Sequence, residues 1–129
     1  MYFVSAGIAT ASSTEVIHLI EAPPPDEKVF ASAQIIIDEY RNEIQKLGTK
    51  SIKLDIDAAH GTIETSWHRV HKGELERKIQ IYVWGGIYRI DVWHRSTLGL
   101  GKKTKKDYMC RLIEMQLQEK IEKELQRID

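Results

Sequence analysis

Apolar residues recur at helical spacing between residues 29 and 47, where they lie three or four positions apart and the charged residues fall mostly between them. This spacing puts the apolar side chains on one stripe and predicts an amphipathic helix that covers another surface. Asp26 is predicted to cap the start of this helix, because a short acidic side chain accepts hydrogen bonds from the first backbone N–H groups. Gly48 is predicted to end it, because glycine adopts the left-handed conformation common just after a helix.

A second helical pattern runs from residue 110 to residue 128, with apolar residues on one side and mixed charges on the other. Asp107 is the predicted N-cap of this helix. Cys110, the only cysteine of the chain, lies on the apolar side and is predicted to be a small buried hydrophobe.

Between the two helical patterns the apolar residues alternate with polar ones, which is typical of strands with one buried face. Turns at His60-Gly61 and at Gly85-Gly86 divide this region into two hairpins, and short turns favour pairing between consecutive strands. The predicted core positions are Ile52, Leu54, Ile56, Ile63, Thr65, Trp67, Ile79, Ile81, Val83, Tyr88, Ile90 and Val92. The pattern therefore predicts an antiparallel meander of four strands with both helices on one face.

Residues 15–20 are apolar and β-branched and predict one more strand before the first helix, which gives the order β-α-β-β-β-β-α. Residues 1–14 are rich in small residues without a sustained period and are predicted to be a flexible leader. We therefore expect a single α+β domain over residues 15–129.

Charge and hydropathy argue against a protein that binds nucleic acid through its overall charge and against one that spans a membrane. The 19 basic and 19 acidic residues give a formal net charge of zero, so no general attraction to nucleic acid is expected. No apolar run reaches the length of about 20 residues that a membrane-spanning helix needs.

The residues that could support catalysis or metal binding do not form a recognisable motif. His68 and His71 are three positions apart, and such residues point to opposite faces of a strand. Asp55, Asp57 and Asp91 are carboxylates on polar strand faces, where solvation explains them. We therefore predict no catalytic, metal or cofactor site, and no enzyme activity.

Two features predict an interaction surface. Trp84 and Trp93 fall on the sheet face opposite the core set, and exposed aromatic patches often mark a partner surface. A basic loop follows the last strand and could contact phosphates, anionic lipid headgroups or an acidic protein partner, and the alternative is a loop that is merely solvated. Its lysines are Lys102, Lys103, Lys105 and Lys106.

Two short motifs carry a family resemblance. Ile20-Glu-Ala-Pro-Pro-Pro-Asp-Glu-Lys-Val-Phe30 resembles the segment that leads into the first helix of helix-grip proteins, in which a curved antiparallel sheet wraps a long helix. Asp57-x-x-x-Gly61-x-Ile63-x-Thr65-x-Trp67 resembles a hairpin of small bacterial envelope lipoproteins similar to the C-subunit lipoprotein of the β-barrel assembly machinery.

This resemblance implies a non-enzymatic domain on the periplasmic face of a bacterial envelope that binds a protein partner. An outer-membrane tether would lie outside this sequence, because these residues contain no lipobox cysteine, and a cytoplasmic location stays open. The alternative is a carrier of a small ligand or lipid, as in START-type lipid-transfer domains, which share the helix-grip frame. Such a carrier would need a cavity between the sheet and the C-terminal helix.

Overall fold

The computed structural model describes residues 24–48, 51–70, 73–97 and 103–127. The predicted leader 1–14, the predicted strand 15–20, His71 and Lys102 lie outside the described residues. The elements in chain order are α1 (Asp26–Lys46), β1 (Leu54–Asp57), β2 (Thr62–Thr65), β3 (His68–Val70), β4 (Leu75–Trp84), β5 (Ile87–Ser96) and α2 (Tyr108–Arg127).

The five strands form one antiparallel sheet, which confirms the predicted α+β fold class. β1 pairs with β2, β2 and β3 both pair with the same edge of β4, and β5 pairs with the other edge of β4 along its whole length. Both predicted hairpins are present. The path is the predicted four-stranded meander, with its second strand divided into β2 and β3.

A β-bulge separates β2 from β3. Glu64 lies opposite Gln80 and His68 lies opposite Arg77, so three residues of this strand face two residues of β4. The bulge interrupts the backbone hydrogen bonds between the strands. The backbone N–H of Ile79 donates to the side-chain Oγ1 of Thr65 at 2.9 Å instead. An extra residue reverses the alternation of side chains that follow it.

The bulge overturns one prediction of the alternation. Trp67 was predicted to join the core, but it is half-buried and lies under the guanidinium of Arg95, 4.1 Å from the ring centre. His68 takes the inward position instead and is 4% exposed. A polar residue is thereby placed between the sheet and the helices.

The core lies between the sheet and the two helices. Helix α1 contributes Val29, Ala33, Ile36 and Ile37, and α2 contributes Cys110, Ile113, Leu117 and Ile121. The sheet side consists of Ile63, Ile79, Ile81, Val83 and Val92, with Leu54, Tyr88 and Ile90 packed against them. These residues agree with the predicted apolar stripes and alternation, except that Leu47 and Ile56 are exposed.

The helix ends confirm one predicted cap and correct another. Asp107 caps α2, because its Oδ1 accepts the backbone N–H of Cys110 at 2.9 Å. Asp26 does not cap α1; its carboxylate accepts the backbone N–H groups of Gly85 and Gly86 at 3.0 and 2.9 Å. The start of α1 is thus bonded to the turn between β4 and β5.

Neither of the described helices is long and apolar enough to cross a bilayer.

Candidate interaction surface

The sheet face opposite the helices is open in the described structure and carries a shallow depression. Its volume is about 350 Å³, and most of its lining surface is apolar. The lining residues are Gln80, Tyr82, Trp84, Ile87, Tyr88, Arg89, Asp91 and Trp93. We refer to these residues as the aromatic depression.

The two predicted tryptophans both line this depression, but they differ in exposure. Trp84 is 72% exposed and lies at the β4–β5 turn, beside the exposed Ile87. Trp93 is half-buried, and its indole N–H donates to Oε1 of Gln80 at 3.0 Å. Trp84 is therefore available to a partner, while Trp93 forms part of the floor.

A charged network closes one side of the depression. Asp91 is buried and accepts Nε of Arg89 at 2.8 Å and Nζ of Lys106 at 2.7 Å. Lys106 also binds Glu114 of α2, and its Nζ lies 4.9 Å from the ring centre of Trp93. Burial alone would lower the pKa of Lys106, but the hydrogen bonds to Asp91 and Glu114 raise it. These charges satisfy one another and fix the shape of the surface.

The described part of the lysine loop runs beside β5. Lys105 pairs with His94 through two backbone hydrogen bonds of 2.8 and 3.0 Å, which cover that part of the sheet edge. The side chains of Lys103 and Lys105 are exposed, whereas Lys106 is turned inward into the charged network. No carboxylate among the described residues pairs with Lys103 or Lys105, and Lys105 lies beside the Trp93 end of the aromatic depression.

The opposite face of the sheet contains a chain of buried polar groups that the sequence did not predict. One part of this chain joins β4 to β5. Arg77 of β4 is 6% exposed, and its Nε donates to Nε2 of His94 on β5 at 2.9 Å. Because Nε2 of His94 accepts, the ring proton is on Nδ1, which donates to Oδ2 of Asp107 at 2.9 Å. Burial raises the pKa of Asp107, but the hydrogen bonds from His94 and Cys110 outweigh it and lower that pKa to about 2.

The same chain continues from Arg77 toward α1. Arg77 donates from a terminal nitrogen to the hydroxyl of Tyr40 at 3.2 Å, and Tyr40 lies 2.7 Å from Nε2 of His68. Nδ1 of His68 donates to the carbonyl of Ser66 at 2.9 Å, so Nε2 accepts the proton of Tyr40. Burial lowers the pKa of His68 to about 4 and raises that of Tyr40. We call the series Ser66 carbonyl, His68, Tyr40, Arg77, His94 and Asp107 the polar chain.

One end of the polar chain brings together groups that could in principle hold a metal ion. Ligand atoms of His94, Asp107 and Cys110 lie within 4.8 Å of one another. A metal on Nδ1 of His94 would require a proton on Nε2, and that proton would face the N–H of Arg77. A metal on Nε2 would displace Arg77 itself. The hydrogen-bond pattern thus fits a structural role for these three residues.

The three strand carboxylates considered for catalysis do not converge, and the buried cysteine is not activated. Burial raises the pKa of the Cys110 thiol to about 11, so it is not a nucleophile at neutral pH. Asp55 and Asp57 lie on β1 at the far edge of the sheet. Asp91 lies on β5, where it pairs with Arg89 and Lys106. Asp57 is instead bonded to His60 within the β1–β2 turn.

The sequence analysis placed Trp84 and Trp93 on the open face but did not predict the polar chain. Alternation was sufficient to place Trp84 and Trp93 on one face, because β4 and β5 pair without interruption. His68, Arg77 and His94 occupy inward positions, and their partners Tyr40 and Asp107 come from distant segments. The sequence offered one sign of the polar chain. Arg77 and His94 each lie two positions from a core residue, Ile79 and Val92, and therefore point to the same buried face.

Comparison with protein-family models, with curated proteins and with solved structures finds no match to this chain.

Proposed function

We propose that this chain is a non-catalytic protein-interaction domain of the bacterial envelope, and that it binds its partner through the aromatic depression. The observation that carries the proposal is the exposure of Trp84 and Ile87 at the end of a sheet face that no described element covers. Exposed aromatic side chains around a depression are typical of binding hot spots. The envelope location rests on the resemblance of the two sequence motifs.

The chemistry of the surface indicates the kind of segment that would bind. The depression is mostly apolar, so the partner is expected to insert an apolar or aromatic side chain beside Trp84. Lys105 lies beside His94, toward the other end of β5 from Trp84, and favours acidic residues of the partner at the Trp93 end of the depression. Nucleic acid is not the expected partner, because the positive charges of Arg89, Lys106 and Arg95 are each paired with carboxylates.

The alternative of a ligand or lipid carrier has less support. Thirteen buried residues fill the described interface between sheet and helices, whereas the aromatic depression lies on the other side of the sheet. A carrier of the helix-grip type would need its cavity on the helix side. The packing therefore favours the interaction proposal.

The proposal predicts that Trp84→Ser abolishes partner binding without unfolding the domain. Trp84 is exposed, so its loss is expected to change the free energy of unfolding by no more than about 0.5 kcal/mol. The measurement is chemical crosslinking and pull-down from an envelope extract, with Trp93→Ser as a second variant and circular dichroism to check folding. Tyr108→Ser is the matched control, since Tyr108 is 68% exposed but lies on α2.

A partner that is lost with Trp84→Ser and kept with Tyr108→Ser supports the proposal. Retention of every partner by Trp84→Ser would remove the depression from consideration. Cell fractionation tests the location separately, because recovery of the protein with the cytoplasm contradicts the envelope part of the proposal alone.

A further inference from the structure

The polar chain connects both helices to the sheet. Tyr40 belongs to α1, His68, Arg77 and His94 belong to β3, β4 and β5, and Asp107 precedes α2. It lies on the helix side of the sheet and is separate from the aromatic depression.

The second half of α1 depends on this chain for its contact with the sheet. Within α1, all of which is described, the buried residues end at Ile37. Beyond that point Tyr40 and Ile44 are only half-buried, and Gln45 accepts the backbone N–H of Ile52 at 2.8 Å. Helix α1 also packs against α2. The described side-chain hydrogen bonds that tie residues 38–46 to strands of the sheet are those of Tyr40 with His68 and Arg77.

A second proton on His68 is incompatible with these hydrogen bonds. From the described residues, the groups that face His68 are the Tyr40 hydroxyl, the Ser66 carbonyl, the Arg77 guanidinium and the His94 ring. Protonation at Nε2 would direct two cations, His68 and Arg77, at one neutral hydroxyl oxygen. The Tyr40 proton would also lose its acceptor.

We infer that His68 makes the docking of α1 sensitive to pH, so that proton uptake on its ring releases residues 38–46 from the sheet while the β4–β5 hairpin stays paired. The hairpin is independent of the polar chain for most of its length, because its strands pair from Leu75 to Ser96. Residues 38–46 are therefore expected to open locally, without unfolding of the whole domain.

The direction of the pH effect follows from the lowered affinity of the docked ring for a proton. The docked form has a His68 pKa of about 4, against 6.5 for a free histidine. The docked form is therefore favoured fully above pH 6.5, and that advantage is lost as the pH falls from 6.5 to 4. The ratio of open to docked forms is expected to rise about 300-fold across this interval and then level off.

Amide hydrogen exchange followed by NMR tests the inference. After correction for the intrinsic pH dependence of exchange, the opening of residues 41–46 should increase up to about 300-fold between pH 6.5 and pH 4. Amides of the β4–β5 hairpin should not follow. His68→Gln should remove the increase, since glutamine can donate and accept but does not titrate, and His60→Gln, at an exposed turn, should keep it.

Two results would overturn the inference. One is an increase that persists in His68→Gln, and the other is loss of hairpin protection in step with α1. If His68→Gln does not fold, titration of the His68 ring in the unaltered protein decides the matter. A midpoint near pH 4 that coincides with α1 opening supports the inference, and a midpoint near 6.5 contradicts it.

Discussion

The hydroxyl of Ser32 is expected to destabilise the folded protein. It is fully buried on α1, and its hydroxyl has no hydrogen-bond partner among the described residues. A buried hydroxyl without a partner costs free energy, and alanine is also the better helix former. We expect Ser32→Ala to raise the free energy of unfolding by about 1 kcal/mol or more, measured by urea denaturation.

Asn42→Ala is the control for helix propensity, because Asn42 is exposed on the same helix. It should gain only about 0.5 kcal/mol. If Ser32→Ala is less stable than the unaltered protein, the Ser32 hydroxyl makes a hydrogen bond that the described contacts do not contain.

The alternation of apolar and polar residues predicted the burial of some side chains but not of others. Alternation placed Ile63 and Ile81 in the core and Trp84 on the open face, because a strand without interruption repeats every two residues. It failed at Trp67 and His68, since nothing local in the sequence signalled the extra residue of the bulge. The inward turn of His68 is what creates the α1 side of the polar chain.

At the scale of an element, the β1–β2 turn is fixed by its contact with the next strand. Gly61 has a φ of +68°, and a Cβ placed on it would lie 2.1 Å from the carbonyl oxygen of Val83. The backbone N–H of Val83 donates to the carbonyl of Gly61 at 2.8 Å, so the two segments cannot separate freely. We expect Gly61→Ala to cost at least about 2 kcal/mol of unfolding free energy, measured by thermal and urea denaturation.

Gly85→Ala is the matched control, because Gly85 also has a positive φ, of +62°, but has open space around its Cβ position. Its expected cost is about 1 kcal/mol from backbone strain alone. Equal costs for the two variants would contradict the close approach of Gly61 to Val83.

The elements themselves were accessible from the sequence, whereas their connections were not. Helical and strand periods predicted both helices and both hairpins, and Gly48 ends α1 with the expected positive φ. The carboxylate of Asp26 was expected to act within its own helix, but it bonds to a turn about 60 residues away. Such contacts depend on how the helix lies on the sheet, and no local pattern encodes that.

For the molecule as a whole, the two faces of the sheet have different properties. The helix side is filled with apolar residues and crossed by the polar chain, and the other side exposes the aromatic depression. The sequence predicted the open face correctly from parity, but it could not predict the network of Arg89, Asp91, Lys106 and Glu114 that shapes it. That network joins β5 to α2 and arises only after both have packed.

Site-specific photocrosslinking in living cells tests the proposed binding surface most directly. A photoreactive amino acid in place of Tyr82, inside the depression, should give a discrete adduct with one protein partner, and Trp84→Ser should abolish that adduct. The same group in place of Tyr108, on α2, should give none. Absence of an adduct at position 82, or equal adducts at positions 82 and 108, would contradict binding through the aromatic depression.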